Sequence, residues 1–459
     1  MSHDCCENRR SFLKRTLGLG VSAFGLNLVS ALAAREAYGI TPDPSTQMYD
    51  AVIQIFYSGG PSQTDTWDPA DPGSASNYFN TINLGVNDIY GQPFRISEVF
   101  PNLANLVMND PAVGLGAVRS MTHGNGSHAS AQEWMNCFWQ SPVADVYPST
   151  ASSMNHYFKG QGLGIGSVVI NGSNGNYANS AKGGQTGTAY QVFSLGNAER
   201  PLERPVSAQR YSRRRTLINA FNDTFLPTRP DPAAAEWDAA WKQAYDITNQ
   251  GTAANAFDLS GKQILPGGAN APSGDLQRLT MCQELVKAGI PYVACGIGGN
   301  DTHSGNRARV QRNWGDTTDT AVAAMLQNLK STGKRVLVVM GGEFGRTPTT
   351  SKADGRDHWA SGFSWAMLSL NQPAFRTTAV GDTGPDGAWT TRSSTKLVDP
   401  VQPSALGGLI YQSLGFPIAS APQWNVPTSV GVRPPVDQDI ALSTTSGGGR
   451  WLMSQFGLI

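Results

Sequence analysis

Charge is what this sequence has least of. Only 15% of its 459 residues are Asp, Glu, Lys or Arg, the two signs tie at 34 each, and no run of one sign stands out. Nothing therefore points to nucleic acid or an anionic membrane surface as a partner. Cysteine is scarce as well. Of five, Cys5 and Cys6 lie near the N-terminus, and the remaining Cys137, Cys282 and Cys295 are an odd number, which argues against a disulfide framework. Cys282 and Cys295 fall within apolar patterns and are expected to be small buried hydrophobes. Past the N-terminal segment there is no stretch of about 18 uninterrupted apolar residues, so no transmembrane helix is expected there. Walker and dinucleotide fingerprints are both missing.

Glycine and proline, by contrast, are plentiful, at 51 and 28. Such a chain spends many residues in loops, and loops hung on a rigid scaffold are where binding and catalysis usually sit. The N-terminus carries the most specific pattern: Asn8-Arg9-Arg10-Ser11-Phe12-Leu13-Lys14, then a weakly apolar Gly/Ala-rich stretch from Thr16 to about Ala34. It resembles a twin-arginine export signal, the alternatives being an ordinary secretory signal or an uncleaved anchor. Ala31-Leu32-Ala33 offers the small-x-small pattern of a cleavage site. Residues 1–33 are thus expected to be removed, with the twin-arginine translocase as a transient partner and a periplasmic or secreted product.

Short apolar runs bounded by turn residues read as buried parallel strands: Val52–Tyr57, Val113–Val118, Val168–Ile170, Pro291–Cys295 and Val336–Met340. Leu276, Leu279, Cys282, Leu285 and Val286 repeat at helical spacing before Gly289. Val322, Met325, Leu326 and Leu329 do the same, in a helix that the cluster Asp316–Asp319 would open and Gly333 close. This alternation predicts an α/β fold, a mostly parallel sheet sandwiched by helices. Residues 34–459 are expected to form a single domain, with a small helical insert near 205–250 drawn from helical patterns at 205–222 and 233–247. Residues 171–190, 259–274 and 416–449 read as long loops.

Ligands of open α/β sheets bind at the carboxyl ends of the strands. The residues there are unusual: Ser58-Gly59-Gly60-Pro61-Ser62-Gln63-Thr64-Asp65 after the first strand, Thr122-His123-Gly124-Asn125-Gly126-Ser127-His128 after the second, Gly298-Gly299-Asn300-Asp301-Thr302-His303 later, and Gly341-Gly342-Glu343-Phe344-Gly345-Arg346 after the last, with Gly355-Arg356-Asp357-His358 close by. Imidazole and carboxylate in company suit zinc, manganese or iron. Two metals about 4 Å apart could clamp both oxygens of an in-line displacement at phosphorus. Duller readings stand beside these. Asp65 and Asp68 can be turn formers before Pro69, Asp301 a turn cap, Glu343 and Arg346 a structural ion pair, and His358 a packed loop histidine. His156, in a Tyr/Phe setting, is expected to be structural, and Trp134–Trp139 to be core or subsite wall.

Taken as a set, the twin-arginine pattern, Gly59–Pro69, Asp301-Thr302-His303, Glu343–Pro348 and Gly355–Trp359 resemble the exported bacterial proteins grouped as domain of unknown function 1501. That family is regarded as a distant relative of the alkaline phosphatase and sulfatase superfamily. The resemblance implies a parallel-sheet sandwich with one or two metals at the strand ends. It implies Ser127 as nucleophile at a helix start, with His128 and Arg346 as further catalytic candidates. The implied metal ligands are Asp65, Asp301, His303, Glu343, Asp357 and His358. Departures are visible. One residue separates Asp301 from His303 where the superfamily has three, Phe344 replaces a histidine, and the first-strand aspartate is missing unless Asp65 substitutes. The ligand count then suits one divalent metal, zinc, manganese or calcium, or none. A formylglycine sulfatase is not expected, because Cys137-Phe138-Trp139-Gln140 does not supply that nucleophile's motif. The implied activity is metal-dependent hydrolysis of a phosphate or other ester, on a small molecule or a surface polymer. The alternative is a catalytically inactive exported protein that keeps the fold for binding or structure.

Overall fold

The computed structural model describes residues 43–72, 77–139, 147–158, 165–170, 192–195, 207–225, 255–349, 354–383, 398–418 and 436–459. The export signal, the loop 171–190 and the helical pattern 233–247 lie outside these residues. Twelve strands are described: β1 Ala51–Tyr57, β2 Thr81–Asn87, β3 Pro93–Ser97, β4 Val113–Met121, β5 Ser167–Ile170, β6 Phe193–Leu195, β7 Tyr292–Ile297, β8 Val336–Gly341, β9 Gly345–Arg346, β10 His358–Trp359, β11 Phe363–Leu370 and β12 Thr378–Val380. Eight of them form one sheet in the order β12-β4-β11-β8-β1-β7-β5-β6.

All seven residues of β1 are buried, and they explain the layering. Successive side chains of a strand point to opposite faces. Ala51, Ile53, Ile55 and Tyr57 join a core completed by the helices Pro101–Asn109, Ser273–Lys287 and Thr320–Lys330. Val52 and Phe56 join the opposite core, with Thr150–Phe158, Pro403–Ser413 and Gly449–Gln455. A strand covered on both faces needs an unbroken apolar run, which is why these five strands are visible in the sequence. Each expected strand is found, within three residues at either end. Cys137, Cys282 and Cys295 are buried and form no disulfide.

The sheet departs from the expected pattern at β11. β1 is parallel to β7 and β8, whereas β11 runs antiparallel to both β8 and β4. β4 therefore points the same way as β1, β7 and β8, and all four release their chains at one rim. Because β11 is reversed, the segment leading into it arrives at that rim too. Among the described residues no helix is long and apolar enough to cross a membrane.

Two local expectations are corrected. The cluster Asp316–Asp319 does not open a helix. Helical backbone already runs from Asn306, through a π-helical stretch Gln311–Asp319, into Thr320–Lys330. The Asp319 carboxylate instead accepts the backbone N–H groups of Asn102 (3.0 Å) and Leu103 (2.7 Å), satisfying the free donors at the start of the helix Pro101–Asn109. The stretch 416–449 is not all loop, since Gln438–Ala441 is a short helix capped by Asp437. Of the proposed insert, the helix Ala208–Phe225 is described, and His156 falls within the helix Thr150–Phe158.

Candidate metal centre

Two glycines let the rim loops close on one another. A Cβ on Gly59, at φ +111°, would collide with the backbone of Asn300 and Asp301, and one on Gly355 would collide with the carbonyl of His303. Only hydrogen fits at such close approaches. The loops after β1 and β7 and the segment before β11 are thereby pressed together. The ladder of β9 with β10 sets His358 opposite Arg346.

Asp301 sits at the middle of what results. Its Oδ1 accepts from Arg346 Nη2 at 2.5 Å and lies 3.1 Å from His303 Nε2 and 3.3 Å from His358 Nε2. Its Oδ2 lies 3.4 Å from His128 Nε2. His303 and His358 approach each other through Nε2 at 3.1 Å. Burial pushes the Asp301 carboxyl up, but the bond and charge of Arg346, with His128 and His303, bring it below the ordinary value.

The opposite nitrogen of each ring is already committed. His128 Nδ1 donates to Glu343 Oε1 at 2.8 Å, His303 Nδ1 to Asp357 Oδ1 at 2.7 Å, and His358 Nδ1 to the Gly126 carbonyl at 2.8 Å. These acceptors hold the Nδ1 protons, so in the neutral rings all three Nε2 atoms present lone pairs. Three lone pairs and a carboxylate then face one another without a proton between them. His128 Nε2 is buried and makes no hydrogen bond.

A divalent cation matches this arrangement. His128, Asp301 and His358 each offer a ligand atom, all within 4.8 Å of one another. A tetrahedral zinc with bonds of about 2.0–2.1 Å separates its ligands by about 3.3–3.4 Å. Asp301 Oδ1 lies close to that separation from His303 and His358, at 3.1 and 3.3 Å, while His128 approaches the other oxygen, Oδ2, at 3.4 Å.

Of the nine site residues read from the sequence, eight gather at this rim in differing roles. Asp301, His303 and His358 offer ligand atoms, and so does His128, for which the resemblance implies a catalytic role. Glu343 and Asp357 do not face the centre. They hold ligand rings, and Glu343 Oε1 also accepts from Gly59 N (2.8 Å) and Gln132 Nε2 (3.3 Å). Proximity to Glu343 holds the His128 imidazole above its ordinary value, chiefly through their hydrogen bond. Ser127 is exposed at the N-cap of the helix His128–Cys137 and its side chain makes no capping bond. Arg346 is fully buried, donating to the carbonyls of Gly59, Gly60 and Arg356 as well as to Asp301, so it is unable to face a bound anion.

The ninth residue, Asp65, does not join. It is fully buried and bonded to Arg356 Nε (2.8 Å), Ser62 Oγ (2.6 Å) and Asn306 Nδ2 (2.7 Å). Its lone pairs are spent on those donors, so it does not replace the missing first-strand aspartate. Phe344 is also buried, a floor beneath the rings of His128 (4.9 Å between centroids) and His358 (4.6 Å). Two holders were missed. Gln132 could have been suspected from its spacing of four from His128 on one helix. The Gly126 carbonyl leaves no trace in a sequence.

The profile of the family described as "Protein of unknown function (DUF1501)" matches residues 49–368. No curated protein matches the chain. Among solved structures, the C-terminal periplasmic domain of EcEptC from Escherichia coli, in complex with Zn, is similar over 90% of this chain and 100% of that one, at 11% identity and a TM-score of 0.37. The lipoteichoic acid synthase LtaP from Listeria monocytogenes is similar over 89% and 81%, at 9% identity and a TM-score of 0.35. An alkaline phosphatase from the Antarctic bacterium TAB5 is similar over 72% and 94%, at 10% identity and a TM-score of 0.30. Likenesses this slight carry no argument about the reaction.

Proposed function

The chain belongs to the DUF1501 family, and we propose that it is an exported, metal-dependent hydrolase of phosphate or other esters, with Ser127 as its nucleophile. The observation that carries the reading is the convergence of three imidazole Nε2 atoms on the Asp301 carboxylate, each ring held from behind by an oxygen acceptor. His128, Asp301, His303 and His358 would hold the metal. Imidazole nitrogens beside a carboxylate suit zinc. Calcium, which takes about six to eight oxygens, does not match them.

When bound, such a cation supplies Lewis acidity towards an ester oxygen. The chain's own residues do the rest. Ser127 stands between Gly126, whose carbonyl orients His358, and His128, so its hydroxyl is carried on the segment that also holds two ligand rings. Its oxygen would add to the phosphorus or carbonyl carbon of the ester while losing its proton. The alcohol would leave with a proton, and water would then cleave the seryl ester and restore the hydroxyl. Arg346 keeps Asp301 ionised and aimed. Export through the twin-arginine translocase, with residues 1–33 removed, is part of the same proposal and rests on Arg9-Arg10. Changing both to lysine should leave the precursor inside the cell.

The test is elemental analysis of purified protein together with a screen of aryl phosphate, sulfate and carboxylic esters. About one equivalent of metal and turnover lost in Ser127→Ala are expected. Metal without turnover of any ester would favour a binding protein that has kept the fold. No metal in the wild type would remove the proposal.

A further inference from the structure

His123 has no place in the scheme so far, yet it is only 6% exposed and uses both ring nitrogens. Asn125 N–H donates to its Nδ1 at 3.1 Å, so Nδ1 carries no proton. The proton must then be on Nε2, which donates to the backbone carbonyl of Glu343 at 2.6 Å. Asn125 in turn accepts the Ser127 N–H on its Oδ1 at 2.9 Å. An unbroken chain of bonds therefore runs from the loop after β8, through His123 and Asn125, to the backbone of Ser127. Edge-on contacts with Trp134 and Phe363, at 5.3 and 5.1 Å between centroids, hold the ring in place, and burial pushes its imidazole towards the neutral form.

We propose that His123 is the positioning residue of Ser127, fixing the turn His123–His128 so that the serine hydroxyl meets an ester held at the metal centre. The inference rests on the hydrolase reading for its kinetic consequence but not for its geometry. Without the Nδ1 acceptor, Asn125 N–H loses its partner, and the middle of the turn is left to the tethers at its ends, His123 and Gly124 N–H to the Ala360 carbonyl, the Gly126 carbonyl to His358 and His128 to Glu343. His128, His358 and Asp301 are held by Glu343, Gly126 and Arg346 rather than by His123, so metal should still bind.

Two substitutions separate the two ring nitrogens. His123→Asn places an amide oxygen near the position of Nδ1, and His123→Gln places an amide nitrogen near the position of Nε2. In the full-length zinc-loaded protein, His123→Gln should lower kcat on an aryl ester on the order of tenfold to a hundredfold, with KM and metal content close to wild type, since misplacement of a reacting group costs rate. Amide exchange at Asn125 and Ser127 should quicken in the same variant. His123→Asn should recover most of the rate and the amide protection. The proposal is overturned if His123→Gln keeps wild-type kcat and protection, or if its activity and metal fall in proportion. Should the wild type hydrolyse none of the esters, the hydrolase reading fails on its own, and amide exchange still decides whether His123 orders the turn.

Discussion

Asp65 and Asp301 follow adjacent strands, β1 and β7, and each touches a fully buried arginine, yet their surroundings are opposite. Asp65 is fully buried and receives bonds from Arg356, Ser62, Asn306 and the Tyr78 backbone, so its oxygens are saturated by protons already in the protein. Asp301 leaves 48% of its side chain exposed and receives one firm bond, from Arg346. Its other neighbours are three imidazoles whose N–H groups are aimed away. An aspartate near basic residues thus becomes a lock or a ligand according to where the neighbours' protons go. Neighbour types alone do not decide it.

Breaking the lock should have the largest effect on stability. Arg356→Ala leaves the Asp65 carboxylate buried without its partner, a loss of about 3–5 kcal/mol. Chemical denaturation should show it, and the protein still folded should hold its full complement of metal. Asp301→Ala should do the converse. Metal content should drop to background in elemental analysis and ester turnover by at least about a hundredfold, with little loss of stability in the metal-free form, because the carboxylate is half exposed. Unchanged metal in Asp301→Ala would erase the distinction between the two aspartates.

Smaller changes sharpen the contrast. Asp357→Asn should weaken metal affinity about 10- to 100-fold, as losses of a ligand's hydrogen-bond partner do, when measured by competition with a chelator. The smallest expected effect is on pH dependence. The folded-state pKa of His128 lies above its unfolded value. In metal-free protein its stabilisation is therefore complete below the unfolded pKa of about 6.5 and fades as pH rises through the folded value. The melting temperature of chelated wild type, compared with His128→Gln across pH 6 to 9, should show the excess only at the acid end. A difference that does not vary with pH would mean that His128 does not titrate this way.

Much of this molecule was legible from the sequence, in a patterned way. Strands covered on both faces, such as Val52–Tyr57 and Val336–Met340, announce themselves as apolar runs. β11 did not, because Phe363-Ser364-Trp365-Ala366-Met367-Leu368-Ser369-Leu370 fits helix or strand alike, and β6 and β12 are three residues long. The histidines could be picked out by their place after strands. What could not be read was which carboxylate faces the candidate metal centre and which holds one of its imidazoles: Asp301, Glu343, Asp357 and Asp65 look alike on paper and differ only in the donors the fold brings to them. The Asp316–Asp319 cluster teaches the same point. It reads as a cap for its own helix, and Asp319 caps another more than 200 residues away in sequence.

The reversed direction of β11 reaches into the order of assembly. His128, Asp301 and His358 come from three distant parts of the polypeptide, and β1 must find β7 and β8 across more than 200 intervening residues before they meet. Pairings of such long sequence separation form slowly. A cation held by the whole set has no foothold on a half-made sheet, so its capture would mark the moment at which the chain has finished.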